Sequence, residues 1–210
     1  MEKQAAELRE TLDAVSSNAG TARSRNAEKQ IKAYRISEKT KGDDMNPDKS
    51  EMLLRKATAG EKDSIAAIYS SVIGQAGCTW NEYYPGETEL REGLETGNLY
   101  VLAYGSEIVG TVSVVNINEL DGLGCWQVSG DAACEIARVA IHRKYQGRGY
   151  SGLMIKKLFE ILISRGFRAV HILVAARNLV AQKVYKNAGF TPRAECDMYE
   201  DHYYAYEKLF

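Results

Sequence analysis

The chain has 210 residues, of which 45% are hydrophobic and 26% charged, and its formal net charge is −1. A near-balanced charge gives no broad basic field for nucleic acid, and no apolar run is long enough to span a bilayer. The opening Met1-Glu-Lys-Gln lacks the apolar centre of a secretion signal, so a cytoplasmic location is expected. Cys78, Cys125, Cys134 and Cys196 are widely spaced, without a CxxC pair or a histidine at metal spacing. They read as free thiols in a reducing compartment, with no metal site, buried structural thiols being the default over a catalytic one.

Residues 1–50 are polar and charged, with thin apolar stripes such as Leu8, Leu12 and Val15. Such stripes make no core alone. They predict a mobile or partly helical extension, a solvated tail or a helix that docks on a partner, ahead of a folded domain over 51–210. Met52–Ala57 reads as a strand. Thr58-Ala-Gly-Glu61 is a capping box opening a helix whose apolar face is Ile65, Ile68, Tyr69 and Val72. Glu87–Glu95 predicts a shorter helix. Leu99–Tyr104 and Ile108–Val115 flank Gly105-Ser106, the pattern of a hairpin. The Gly-rich stretch 116–132 reads as a loop with strand ends. A strand through Ile136–Ile141, a long helix with Met154, Leu158, Ile161 and Leu162 on one face, a strand Phe167–Val174, a helix Asn178–Ala188 closed by Gly189, and two last strands complete the chain.

Between the strand and the long helix lies Gln146-Gly-Arg-Gly-Tyr-Ser-Gly152. A strand, a glycine turn and a helix start in that order make an anion site, because the glycines allow a tight turn and the first helical N–H groups are free. Gly147-x-Gly149-x-x-Gly152 also fits a dinucleotide fingerprint, but the strand His171–Ala175 brings no carboxylate for a ribose. The Gly-Lys-Ser/Thr of a P-loop is absent, and Val139-Ala-Ile-His142 lacks the lysine of a kinase strand and precedes the loop.

The segment resembles motif A of the GNAT N-acetyltransferases, with Gln146 and Gly149 matching and Ser151 in place of the last small residue. Asn178-x-x-Ala181-x-x-x-Tyr185-x-x-x-Gly189-Phe190 resembles the family's second signature, around one intervening strand. The resemblance covers about residues 51–210. It implies an α/β fold with a mixed, mostly antiparallel sheet, a central splayed parallel strand pair and helices on both faces.

The resemblance further implies acetyl-CoA as co-substrate and direct transfer to a primary amine through a tetrahedral intermediate. The pantetheine arm would lie along Val139, Ala140 and Ile141, and the pyrophosphate on Gln146, Gly147, Arg148, Gly149, Tyr150 and Ser151, with Asn178 on the arm or capping its helix. Tyr185 matches the acid that protonates the leaving sulfur. Glu135 is the candidate base acting through water, or else a solvated strand end; His142 is expected to be structural. Trp80, Glu82 and Tyr84, with Asp197 and Tyr204, mix aromatic rings with carboxylates and would suit a cationic small-molecule amine or a peptide acceptor. A homodimer is compatible with this reading. The alternative is a non-catalytic acyl-CoA sensor or interaction module.

Overall fold

The computed structural model describes residues 48–115 and 119–210, and of the extension expected over residues 1–50 the first 47 lie outside them. Its elements in chain order are β1 (Leu53–Lys56), α1 (Lys62–Val72), α2 (Glu87–Glu95), β2 (Leu99–Tyr104), β3 (Glu107–Val115), β4 (Ala133–Ile141), α3 (Tyr150–Ser164), β5 (Ala169–Ala175), α4 (Leu179–Asn187), β6 (Thr191–Met198) and β7 (Asp201–Leu209). This is the expected succession. The seven strands form one sheet in the order β1-β2-β3-β4-β5-β7-β6, antiparallel except for the β4–β5 pair.

Local chemistry explains the elements. The Thr58 N–H donates to the Glu61 carboxylate at 2.8 Å, which fixes the approach to α1. Ile65, Ile68, Tyr69 and Val72 are then buried against Leu99 and Val101 of β2. Each such side chain contributes about 1.5–3 kcal/mol of burial, so this face outweighs the weak helix propensity of its β-branched residues. Every residue of β2 is buried. Alternation sends Leu99 and Val101 towards α1 and α2, and Tyr100 to the other face, where its hydroxyl accepts from Arg165 at the end of α3 at 3.4 Å. The sheet is thus covered on both faces.

Two boundaries differ from expectation. β4 begins at Ala133 rather than Ile136, because Ala133, Cys134 and Glu135 pair with Ala169, Val170 and His171. The 116–132 stretch carries short 3₁₀ turns at Glu119–Leu123 and Gly130–Ala132 and no strand among its described residues. Trp126 holds it down, donating from Nε1 to the Leu120 carbonyl at 2.7 Å and stacking on His171 at 3.9 Å between ring centroids.

Candidate active site

The parallel contact stops at Glu135 and His171. Beyond it β4 continues to Ile141 on β3, and β5 continues to Ala175 on β7. The two strands therefore diverge from Glu135 and His171 onward, and their facing edges, including the stretch Val139–Ile141, do not pair with each other. At the wide end of this V stands the glycine loop. His142 caps the 3₁₀ turn Arg143–Tyr145 by accepting from the Lys144 N–H at 3.2 Å, and Gln146 Nε2 donates back to the Ile141 carbonyl at 3.0 Å. Gly147 and Gly149 take φ of 76° and 78°, the left-handed region glycine enters freely. The N-cap of α3 is Gly149, which has no side chain to cap the helix that begins at Tyr150. Among the described residues a Cβ at Gly147 or Gly152 would meet no atom within 4 Å.

The charges around the loop are unequal. Lys144 is committed to Glu107, with Nζ 3.1 Å from Oε1. Arg148 lies 5.9 Å from the centre of the Tyr145 ring, and Ser151 is half-buried in the first turn of α3. Lys49, which sequence reasoning missed, reaches the same place from the turn before β1: a Cβ on Gly149 would lie 3.1 Å from Lys49 Nζ. That turn is anchored by Asp48, which accepts from the Ser50 N–H, and by Glu51, which accepts from the Tyr104 hydroxyl at 3.2 Å. A helix start with glycine at its N-cap, a second glycine before it and a lysine suit a phosphate.

The narrow end holds the other candidates. Directly paired residues of neighbouring strands share a face, so Glu135, His171 and Glu207 point to one side of the sheet. Glu135 is half-buried there. His171 and Glu207 are fully buried, with His171 Nε2 3.3 Å from Glu207 Oε1; Glu207 also accepts from the N–H groups of Gln127 and Val128 and lies 2.7 Å from Arg193 Nε as an ion pair. Burial pulls the His171 pKa down and outweighs the opposing pull of Glu207, so the ring is held neutral. This network pins the Gly-rich stretch to β5 and β7; its members are far apart in the chain, so no local pattern announces it.

Asn178 caps α4, accepting from the Ala181 N–H at 3.0 Å, and Gln182 Nε2 donates to the Ala176 carbonyl at 2.8 Å. These bonds hold α4 at the free end of β5. They carry Tyr185, which is buried, packs edge-on against Phe190, and has its pKa raised by burial alone.

Of the expected acceptor residues, the structure gathers some and disperses others. Trp80 packs edge-on against Tyr69 at 5.5 Å, and the Tyr84 hydroxyl lies near Arg138 and Glu135. Glu82 is exposed in the same α1–α2 connection. Asp197 is 88% exposed and bonded to His202 at 2.8 Å at the outer hairpin. Tyr204 points to the face opposite Glu135, since it pairs with Val174 one residue out of phase with the His171–Glu207 pair; Tyr203 occupies the Glu135 face. Arg138, at the bend of β4, is the neighbour that the sequence reading passed over, although a cation in the middle of an apolar strand is itself a signal. All four cysteines are free, and burial pushes Cys134 up to about 12, which leaves its thiol inert.

A glycine loop at the mouth of a splayed parallel pair, with titratable groups at its vertex, defines the class as an α/β protein with an open V in its sheet. The chain belongs to the GNAT family of acetyltransferases, whose model matches residues 65–190. No curated protein matches the sequence. Among solved structures, a GNAT-family acetyltransferase from Streptococcus agalactiae is similar over 79% of this chain and 99% of its own, with a TM-score of 0.67 and 16% identity. The ribosomal-protein-alanine N-acetyltransferase from Brucella melitensis covers 75% of this chain and 99% of its own, at a TM-score of 0.61 and 18% identity. YncA from Salmonella typhimurium, determined with its cofactor acetyl-CoA, covers 75% and 93%, at 0.60 and 16%. At these identities the likeness is one of fold.

Proposed function

We propose that this chain is an acetyl-CoA-dependent N-acetyltransferase that moves the acetyl group directly from the thioester to a primary amine. The observation that carries this reading is the continuous open V, which runs from the helix start at Gly149 to Glu135. The loop 146–151 and Lys49 would hold the phosphates, and the edge of Val139, Ala140 and Ile141 that faces β5, where the Ile141 carbonyl already accepts from Gln146, would lie along the pantetheine arm and pair with its amide groups through the remaining backbone. Asn178, already occupied by its own helix, would serve the arm indirectly by fixing α4.

The amine nitrogen attacks the thioester carbon, an N–C bond forms and the C–S bond breaks. Glu135, directly or through water, takes the proton that the amine loses. Tyr185 stays protonated through neutral pH, since burial raises its pKa above the ordinary value of about 10. An ordinary thiol, at about 8.5, is the stronger acid, so complete transfer from Tyr185 to the thiolate is uphill. Its physical role is therefore to donate a hydrogen bond that stabilises charge growing on sulfur, while solvent supplies the proton that ends on the thiol.

The test is thiol release from acetyl-CoA across amines and short peptides. Tyr185→Phe should lower kcat by about 100-fold with little change in acetyl-CoA affinity, and Glu135→Gln should lower it to a similar degree while flattening the acidic limb of the pH profile. Acetyl-CoA binding without release on any acceptor would favour a sensor. Absence of binding by calorimetry would remove the reading altogether.

A further inference from the structure

Arg138 is the polar residue of the vertex that acyl transfer, as described, leaves unused. It sits where β4 gains a residue over β3: Ala137 pairs with Ser113 and Ala140 with Thr111, so the strand bulges between them. Its φ is 53°, a left-handed conformation that penalises an arginine. Bulges of this kind re-aim a side chain. The side chain is half-buried and its Nε donates to Ser113 Oγ at 3.1 Å. Its charge is felt by the hydroxyls of both Tyr69 and Tyr84.

Among the described residues no carboxylate lies within ion-pair distance of this guanidinium. Glu89, the acid on the neighbouring helix, is spent on the Gly86 N–H at 2.7 Å, capping α2. A guanidinium has five donors in a planar fork, and a partly buried one without a counter-charge is costly. A second observation points to the same place: the Tyr69 hydroxyl and Thr111 Oγ1 are buried with no well-aligned hydrogen-bond partner. A strained backbone, a guanidinium bonded to Ser113 and the Tyr84 hydroxyl but outside ion-pair distance of any described carboxylate, and the buried Tyr69 and Thr111 hydroxyls thus converge near Glu135.

We propose that Arg138 binds the carboxylate of the acceptor, so that the substrate is an α-amino acid or an equivalent amine carrying its own carboxylate. The carboxylate would sit in the guanidinium fork beside the Tyr84 hydroxyl, and the amine would face Glu135. This rests on the acetyltransferase reading and narrows it. It also departs from the cationic-amine site expected of Glu82 and Asp197, both of which are exposed. A peptide N-terminus lacks a carboxylate next to its amine and is disfavoured on the same ground.

The experiment pairs each standard α-amino acid with its carboxamide in the thiol-release assay, using the full chain, with Arg138→Gln, Arg138→Lys and Tyr84→Phe beside it and acetyl-CoA binding measured for each. The native protein should prefer the best acid over its amide by about 10- to 100-fold in kcat/KM, the loss expected when a charge-assisted fork has no anion. Arg138→Gln should collapse that ratio to near unity while still binding acetyl-CoA, Arg138→Lys should keep part of it, and Tyr84→Phe should lower it in a chain that keeps the guanidinium. Equal turnover of acid and amide by the native protein overturns the inference and leaves the acetyltransferase standing. So does acetyl-CoA binding with no acid acetylated, or a loss of acetyl-CoA affinity in Arg138→Gln with the ratio untouched. No acetyl-CoA binding by the native chain brings down the broader reading, and this inference with it.

Discussion

Lys49 is the residue whose place in space most exceeds its place in the sequence. It lies about a hundred positions before the glycine loop, in a stretch with nothing to mark it, yet its ammonium stands over Gly149. The Asp48 cap and the Glu51–Tyr104 contact hold the turn that delivers it. Lys144, which sequence proximity favours, is already neutralised by Glu107. Lys49→Ala should therefore raise the Kd for acetyl-CoA by about 3- to 10-fold, as loss of one exposed phosphate contact does, whereas Lys144→Ala should change it less. Titration calorimetry at low and high salt checks this: the gap between Lys49→Ala and the native protein should shrink as salt screens the charge. Equal effects of the two substitutions would remove Lys49 from the phosphate site.

At the scale of elements, the α1–α2 connection decides whether the vertex is a site or a surface. Its first half is latched to the turn between β5 and α4. A Cβ on Gly77 would lie 2.8 Å from Asn178 Cα, and the Arg177 guanidinium reaches the Cys78 carbonyl at 3.5 Å. Its second half is tightened by Asn81, whose Oδ1 accepts from the N–H groups of Tyr83 and Tyr84. Gly77 also has φ of 82°, so Gly77→Ala meets both backbone strain and a backbone clash. The expected loss is about 1–3 kcal/mol of stability, with KM for the acceptor rising more than KM for acetyl-CoA, because Trp80 and Tyr84 shift while the glycine loop does not. Denaturant melts with paired steady-state kinetics measure both.

The same comparison explains what the sequence disclosed. Periodicity located α1 and the β2–β3 hairpin nearly to the residue, since α1 buries an apolar face and the hairpin turns on Gly105. The glycine turn before α3 and the extent of α4 were legible because local spacing encodes them. Tyr84 comes near Glu135 while Tyr204 does not, because which face of β7 meets the vertex depends on register with β5, a fact of pairing rather than of composition. Arg138, Lys49 and the His171–Glu207 pair escaped for that reason: each acquires meaning only from a residue far along the chain.

At the scale of the whole molecule, His171 and Glu61 are two of the described groups that tie folding to acid. His171 titrates below its ordinary value of about 6.5 because it is buried, despite Glu207. In the window from that ordinary value down to its depressed one, the unfolded chain holds a proton that the folded chain refuses, so stability rises with pH there and is complete above about 6.5. Glu61, held by Arg55 and then by the Thr58 N–H, titrates at about 2 instead of 4.5; its contribution is present above 4.5 and lost as pH falls towards 2. Acid should thus weaken the fold in two successive stages, the first with a slope of at most about 1.4 kcal/mol per pH unit for one proton. His202 works against the first stage, since Asp197 and Glu195 raise its pKa, but it is exposed and its ion pairs are screened in about 1 M salt. Urea unfolding between pH 7.5 and 5 in high salt isolates the buried histidine. The native chain should lose stability through that range, and His171→Leu, whatever its absolute stability, should lose less; an unchanged slope would mean that another group carries the proton linkage.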